Sequence, residues 1–197
     1  MLDNEIISRI RSFAIKNSEI NDIHGFSHVE RVYNTCVKIG EQLNANTKVL
    51  KIAAYLHDIG RIDEKEDPPK RNHAEISATK AKEFLATNNF NLSQKDIDDI
   101  IHAINAHSFS NNLTPQTLEG KILSDADKLD AIGAIGIFRT IGFTLQNNGG
   151  IDQVIEHLEN KILKLKDQMY LDYSKKIAEE RHNIVLEFYN KIKKERI

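Results

Sequence analysis

Apolar residues along this chain recur at three- and four-residue intervals, with polar and charged positions filling the other face of each turn. That period predicts helices near 3–16, 28–44, 48–58, 73–88, 94–107, 116–146, 151–168 and 174–194. Four of the starts have readable chemistry. "SHVE" offers Ser27 as N-cap with Glu30 three residues on, "NHAE" offers Asn72 with Glu75, "SQKD" offers Ser93 with Asp96, and "TPQT" puts Pro115 at a first helical position. The β-branched residues sit among Ala, Leu, Lys and Glu at helical spacing, so strand signals are nearly missing. Only three prolines occur, two of them together in "DEKEDPPKRN", and no Gly/Ser-rich linker or internal repeat divides the chain. The expectation is an all-α bundle, a single domain over residues 1–197.

Composition narrows the function classes. The 197 residues are 40% hydrophobic, with no stretch apolar enough to cross a membrane. The formal charge is −2, from 27 basic and 29 acidic side chains, so no overall field draws the chain to a nucleic acid polymer or an acidic membrane. An anionic ligand has to be held by local groups. The single cysteine, Cys36, has no internal disulfide partner, and "MLDNEIISRIRSF" carries charges where a signal peptide needs an apolar core. A reducing cytoplasm is the expected location.

Candidate chemistry begins in "AAYLHDIGR", residues 53–61, where a buried-type helix ends in His57 and Asp58 just before Gly60. Adjacent helical residues point about 100° apart, so these two share one ion only near a helix terminus or from a central position in the bundle. Six of the eight histidines, His24, His28, His57, His73, His102 and His107, fall within the first 107 residues. His28, His73 and His107 each lie at a predicted helix end, the placement by which helical bundles build metal sites. A lone histidine on an amphipathic helix is more often a hydrogen-bonded core residue. In "GKILSDADKLDAIGAIGIF", residues 120–138, Asp125, Asp127, Lys128 and Asp130 interrupt an otherwise apolar helix. Buried carboxylates need partners, and a metal cation is one. The alternative, an Asp127–Lys128 pair, is weak because i,i+1 neighbours do not face each other.

The ordered set "HGFSHVERV", "AAYLHDIGR", "HAEISA" and "DADKLDA" resembles the HD superfamily of metal-dependent phosphohydrolases, in particular its small stand-alone bacterial members. The match runs from about residue 20 to 140, and helices from about 151 to 194 add no motif and complete the bundle. The resemblance implies that His28, His57, Asp58 and Asp127 are the metal ligands, with Asp58 also part of the catalytic group. It implies a divalent transition ion, Mn²⁺ first, with Fe, Zn, Co, Ni or Mg also compatible with imidazole and carboxylate donors. Such an ion generates a hydroxide-like nucleophile and neutralises developing charge, giving hydrolysis without a covalent intermediate. Some HD families hold a second ion with extra histidines, and His73 and His107 occupy comparable places in chain order. The preferred reading is that these two bind or protonate a phosphate, so that one ion is expected rather than two. His102 reads as structural, and His24 and Asp22 as possible lining of a pocket mouth.

Three residues after Asp58, alarmone hydrolases and nucleoside-monophosphate phosphatases of the superfamily carry an acidic residue, whereas this chain has Arg61. Its fork matches phosphate oxygens, which makes Arg61 the first phosphate-binding candidate, against a surface ion pair with Asp63 or Glu64. Lys128 matches a phosphate-contacting lysine of the deoxynucleoside-triphosphate hydrolases. Asp130 lies on a similar face to Asp127, for orienting a ligand or for a helix-surface pair. Lys70 and Arg71 stand in a mixed-charge loop. No "GYP" follows His107, which removes most support for a cyclic-dinucleotide activity. The resulting expectation is hydrolysis of phosphate or diphosphate groups of a nucleotide. The alternatives are a di-iron oxygenase using His28, His57, Asp58, His73, His107 and Asp127, or a non-catalytic helical module with a structural metal. The oligomeric state is left open.

Overall fold

A computed structural model of the chain describes residues 4–66, 71–88, 90–108 and 111–196, which fall into two compact units that divide after Ala126. Among the described residues the regular structure is helical, and the one β pairing is an isolated bridge between Glu19 and Gly25. The all-α expectation holds.

The first unit contains α1 (Asn4–Lys16), α2 (Phe26–Gln42), α3 (Thr47–Leu56), α4 (Arg61–Glu66), α5 (His73–Asn88), α6 (Gln94–Ala106) and most of α7 (Leu118–Asp130). Its centre is α3, which touches α1, α2, α5 and α6. The nine consecutive residues 52–60 are all buried, so the second half of this helix has no solvent face, as its uncharged "IAAYL" requires. Leu50, Ile52, Leu56 and Ile59 are essentially inaccessible, and truncating one such side chain to Ala costs about 2–5 kcal/mol. His57 and Asp58 therefore leave a helix end that is already in the core.

The caps explain most of the boundaries. Asn46 Oδ1 accepts from the N–H groups of Lys48 (3.2 Å) and Val49 (3.3 Å) and starts α3. Ser93 Oγ accepts from Asp96 N–H at 3.1 Å, and Asn72 Oδ1 from Ala74 N–H at 2.9 Å, as read from the sequence. Ser27 is not a cap: α2 begins two residues earlier than expected, at Phe26 with Gly25 at the N-cap, and the Ser27 hydroxyl instead donates to Asp22 Oδ1 at 2.8 Å. Glu30 pairs with Arg11 at 2.5 Å rather than closing a capping box. Nor does Pro115 open a helix, because Thr117 Oγ1 takes the Gly120 N–H at 3.0 Å and α7 starts at Leu118.

The second unit runs from Asp127 through α8 (Gly133–Gln146), α9 (Ile151–Asn160), a 3₁₀ segment (Ile162–Gln168) and α10 (Asp172–Glu195). The helix expected over 116–146 is thus two helices, broken where Gly133 takes φ +79, a left-handed value that suits a residue without Cβ. The helix expected over 151–168 also stops early, at Lys161 (φ −129, ψ −62), before continuing as the tighter 3₁₀ form. α10 buries Ser174, Ala178, His182 and Val185 along one face and packs on α8, α9 and the 3₁₀ segment.

Gly60 sets how the end of α3 meets α5. A Cβ there would lie 2.7 Å from His73 O and from Ser77 N, while the Gly60 N–H donates to Ser77 Oγ at 2.9 Å. Gly60→Ala should therefore cost about 1–3 kcal/mol, the usual penalty of overpacking. Urea unfolding followed by circular dichroism measures it, and an unchanged midpoint would mean that this contact does not fix α5.

Candidate metal centre

His57 follows the last residue of α3 as its C-cap, in helical conformation (φ −63, ψ −33), and its Nδ1 lies 2.7 Å from Ala54 O. His107 repeats the arrangement at the end of α6 (φ −71, ψ −36), with Nδ1 2.6 Å from Ile104 O. In each case the ring donates Nδ1–H to one of the carbonyls a helix C-terminus leaves without an intrahelical partner. That bond fixes the tautomer and turns the Nε2 lone pair inward, the orientation used by metal-ligating histidines.

Asp58 is the point on which the imidazoles converge. Its Oδ2 lies 3.5 Å from His28 Nε2 and 3.6 Å from His57 Nε2, while its Oδ1 lies 3.5 Å from His107 Nε2 and 3.6 Å from His73 Nε2. Two groups of potential ligands result, His28–His57–Asp58 and Asp58–His73–His107, each with its donor atoms within 4.8 Å of one another and all five residues buried. His28 Nε2 and His57 Nε2 approach to 3.3 Å, a contact that needs a proton or a cation between the nitrogens. Asp58 Oδ1 and His107 Nε2 are fully buried without a hydrogen-bond partner among the described residues, and leaving such atoms unsatisfied costs about 1–3 kcal/mol each. Nitrogen and oxygen donors with buried lone pairs aimed at one point fit a divalent transition ion.

The electrostatics agree. Burial pushes the Asp58 carboxyl up, but the Arg61 guanidinium and then His57, with His107 and His28 close beside it, hold it well below the usual carboxylate range. The group is an ionised acceptor. Arg61 Nε contacts Asp58 Oδ2 directly, and the arginine side chain is 21% exposed, so it runs from the surface down to the carboxylate. Asp63 takes Lys80 at 2.6 Å, and Glu64 Oε1 lies 3.4 Å from His73 Nδ1.

Glu64, read from the sequence only as an alternative partner for Arg61, positions His73. Its Oε1 accepts the His73 backbone N–H at 2.9 Å and lies 3.4 Å from the ring Nδ1. It sits on α4, a six-residue helix too short to show a period. Of the other sequence candidates in this unit, His102 Nε2 accepts the Gln116 N–H at 2.9 Å, tying two chain segments together. His24 gives its backbone N–H to Asn21 Oδ1 at 2.9 Å, and Asp22 accepts from Ser27. Arg71 is exposed, and Lys70 lies outside the described residues.

In the second unit Asp127 is half-buried at its first position, and Lys128 and Asp130 are buried. Lys128 Nζ rests 4.8 Å from the centre of the Tyr170 ring, and Asp130 Oδ2 accepts from Arg139 Nη1 at 2.7 Å. The Asp130 pair is thus internal rather than on a helix surface. Neither Tyr170 nor Arg139 stood out in the sequence, because a cation–π partner and a buried ion-pair partner 9 residues away leave no spacing signature.

The chain is similar to YpgQ of Bacillus subtilis, with 34% identity over 180 residues, covering 87% of this chain and 84% of that protein. The crystal structure of B. subtilis YpgQ in complex with ADP superposes with a TM-score of 0.79 at 31% identity, over 99% of this chain and 97% of that one. An HD-superfamily hydrolase of Bacillus thuringiensis gives a TM-score of 0.74 at 28% identity, over 97% and 96% of the two chains. The family model of the HD domain matches residues 25–132, the stretch that carries His28, His57, Asp58, His73 and His107, and the chain belongs to the HD superfamily.

Proposed function

We propose that the chain is a metal-dependent phosphohydrolase that acts on phosphate or diphosphate groups of nucleotides in the cytoplasm. The observation that carries this reading is one buried, ionised carboxylate shared by four imidazoles at a site with a guanidinium beside it. His28, His57 and Asp58 hold the ion, for which Mn²⁺ is the first candidate, and the resemblance adds Asp127 as a further ligand. When bound, the ion supplies Lewis acidity that activates water and neutralises charge on a phosphoryl oxygen. The anchored Nδ1–H groups of His57 and His107 keep their Nε2 atoms directed inward. Arg61 supplies a planar fork to the substrate phosphate and Lys128 a second cation, with Asp130 as a supporting group behind the last ligand. That YpgQ was crystallised with ADP supports a nucleotide as the substrate class.

A second reading has one specific observation in its favour. Each oxygen of Asp58 faces its own pair of histidines, so Asp58, His73 and His107 form a second ligand group beside the first. With one ion, His73 and His107 serve the phosphate as binding or proton-transfer groups. With two, Asp58, His73 and His107 would hold the second, and the di-iron oxygenase alternative rests on that case.

Chelation should abolish hydrolysis of a nucleotide panel, and Mn²⁺ should restore it better than Ca²⁺, which prefers all-oxygen ligands. Asp58→Ala should lose bound metal and at least ~10²-fold in turnover with helicity retained, as read by elemental analysis, steady-state kinetics and circular dichroism. Activity that survives exhaustive chelation refutes the proposal.

Arg61→Lys keeps the charge and removes the fork, so kcat/KM should fall by about one to two decades, mainly through KM, while metal content is unchanged. An unaltered kcat/KM would leave Arg61 as a structural partner of Asp58 alone.

Elemental analysis of Mn²⁺-loaded, desalted protein separates one ion from two. The one-ion reading expects His73→Ala to keep its single metal and lose turnover. A wild type with two ions that falls to one in His73→Ala establishes the second reading, and oxygen consumption by the iron-loaded protein then tests the oxygenase alternative.

A further inference from the structure

Three aromatic side chains are exposed among the described residues, Phe138, Phe143 and Tyr170. Phe143 lies edge-on to His157, with ring centres 5.6 Å apart, and Phe138 stands on α8, whose one charged residue, Arg139, is buried. Tyr170 instead lies over a cation, with Lys128 Nζ 4.8 Å from its ring centre. The backbone of the link before α10 accounts for its outward position. Met169 (φ −74, ψ 133) and Leu171 (φ −108, ψ 136) are extended, so successive side chains there point to opposite sides. Met169 is accordingly buried, and Tyr170 is 40% exposed.

We propose that Tyr170 is the platform on which the base of a purine nucleotide stacks while Lys128 holds its phosphate. The inference rests on the phosphate role given to Lys128 under the proposed function, and it extends that role from the phosphate to the base. The first argument is reach. A phosphate oxygen held by the ammonium lies about 2.8 Å from Nζ, which places it within about 8 Å of the Tyr170 ring centre. One ribose spans such a gap.

The second argument is the state of the ring. An ammonium against one face draws π density toward itself, which leaves the ring electron-poor and suited to stack on an electron-rich purine. The ring contact does not exhaust the ammonium, which carries three N–H donors. The third argument is order. Buried Met169 anchors the link on one side and α10 on the other, and a tyrosine has only two χ angles to fix, so the platform is largely set before a ligand arrives. Stacking of this kind separates nucleotides from simple phosphates without reading the edge of the base.

One test is independent of turnover. The chain has no tryptophan, so Tyr170→Trp places a single indole at this position. In the Mg²⁺-loaded variant the methylene-bridged analogue of ADP should quench that fluorescence, whereas methylenediphosphonate, the same phosphate mimic without a base, should not. The second test is kinetic. Tyr170→Leu keeps Lys128 covered but cannot stack, so the KM of ATP should rise about 10- to 100-fold with kcat held, while inhibition by tripolyphosphate stays within about twofold. Tyr170→Phe, which keeps the ring, should recover most of the loss. An equal loss for ATP and tripolyphosphate makes Tyr170 a cover for Lys128 alone and overturns the proposal. So does an ATP KM that Tyr170→Leu leaves unmoved, or an indole quenched equally by both analogues or by neither. A chain that hydrolyses no nucleotide, while its indole responds only to the base-bearing analogue, refutes the hydrolase reading and supports the platform.

Discussion

A carboxylate that is ionised and almost wholly buried must be compensated where it stands, and Asp58 imposes that requirement on the first unit. Four imidazoles and a guanidinium answer it, drawn from α2, the ends of α3 and α6, the start of α4 and the start of α5. The helix directions add to the same field. α3 and α6 both deliver their C-termini, where the macrodipole is negative and carbonyls are exposed, so the site favours cations before any ligand geometry is considered. His57 and His107 use those carbonyls as acceptors, which keeps their own protons off the nitrogens that face Asp58. The central α3 is what allows this, since its uncharged C-terminal half ends inside the core.

The sequence made the helical class and the five residues around Asp58 legible for different physical reasons. Helices show because burial of one face writes a period into the chain, and the second half of α3 shows because its burial on every face leaves the uncharged run "IAAYL". The histidines show because their types and order carry chemistry. What stayed hidden depends on single contacts. Gly25 rather than Ser27 caps α2, since Asp22 draws the serine hydroxyl away, and a local motif does not encode that competitor. Glu64 is set on His73 by a helix of less than two turns, and Arg61 reaches Asp58 because a buried carboxylate has great need of a cation.

The second unit follows the opposite economy of charge. Lys128 is covered by Tyr170, Asp130 by Arg139, and the Leu129 carbonyl takes Arg181 Nη1 at 2.5 Å. These groups converge on the last turn of α7 and its break at Gly133, whose added Cβ would lie 3.2 Å from Arg181 Cβ. A helix that stops abruptly leaves carbonyls to satisfy, and two arginines from elsewhere in the unit, one on α8 and one on α10, do so or neutralise the neighbouring carboxylate. The continuous apolar period over 116–146 gave no sign of this break, because both helices bury the same kind of residue on either side of it.

One consequence reaches the surface. Arg139 is the sole charge of α8, and the break at Gly133 needs it on the inner side, against Asp130. A helix of this length ordinarily spends its charges outward, where they solvate the exposed face and keep copies of a protein apart. α10 does so, with Lys175, Glu187 and Lys191 in exposed ion pairs along its length. In α8 the inward demand takes the only charge available and leaves Ile135, Phe138 and Leu145 facing out.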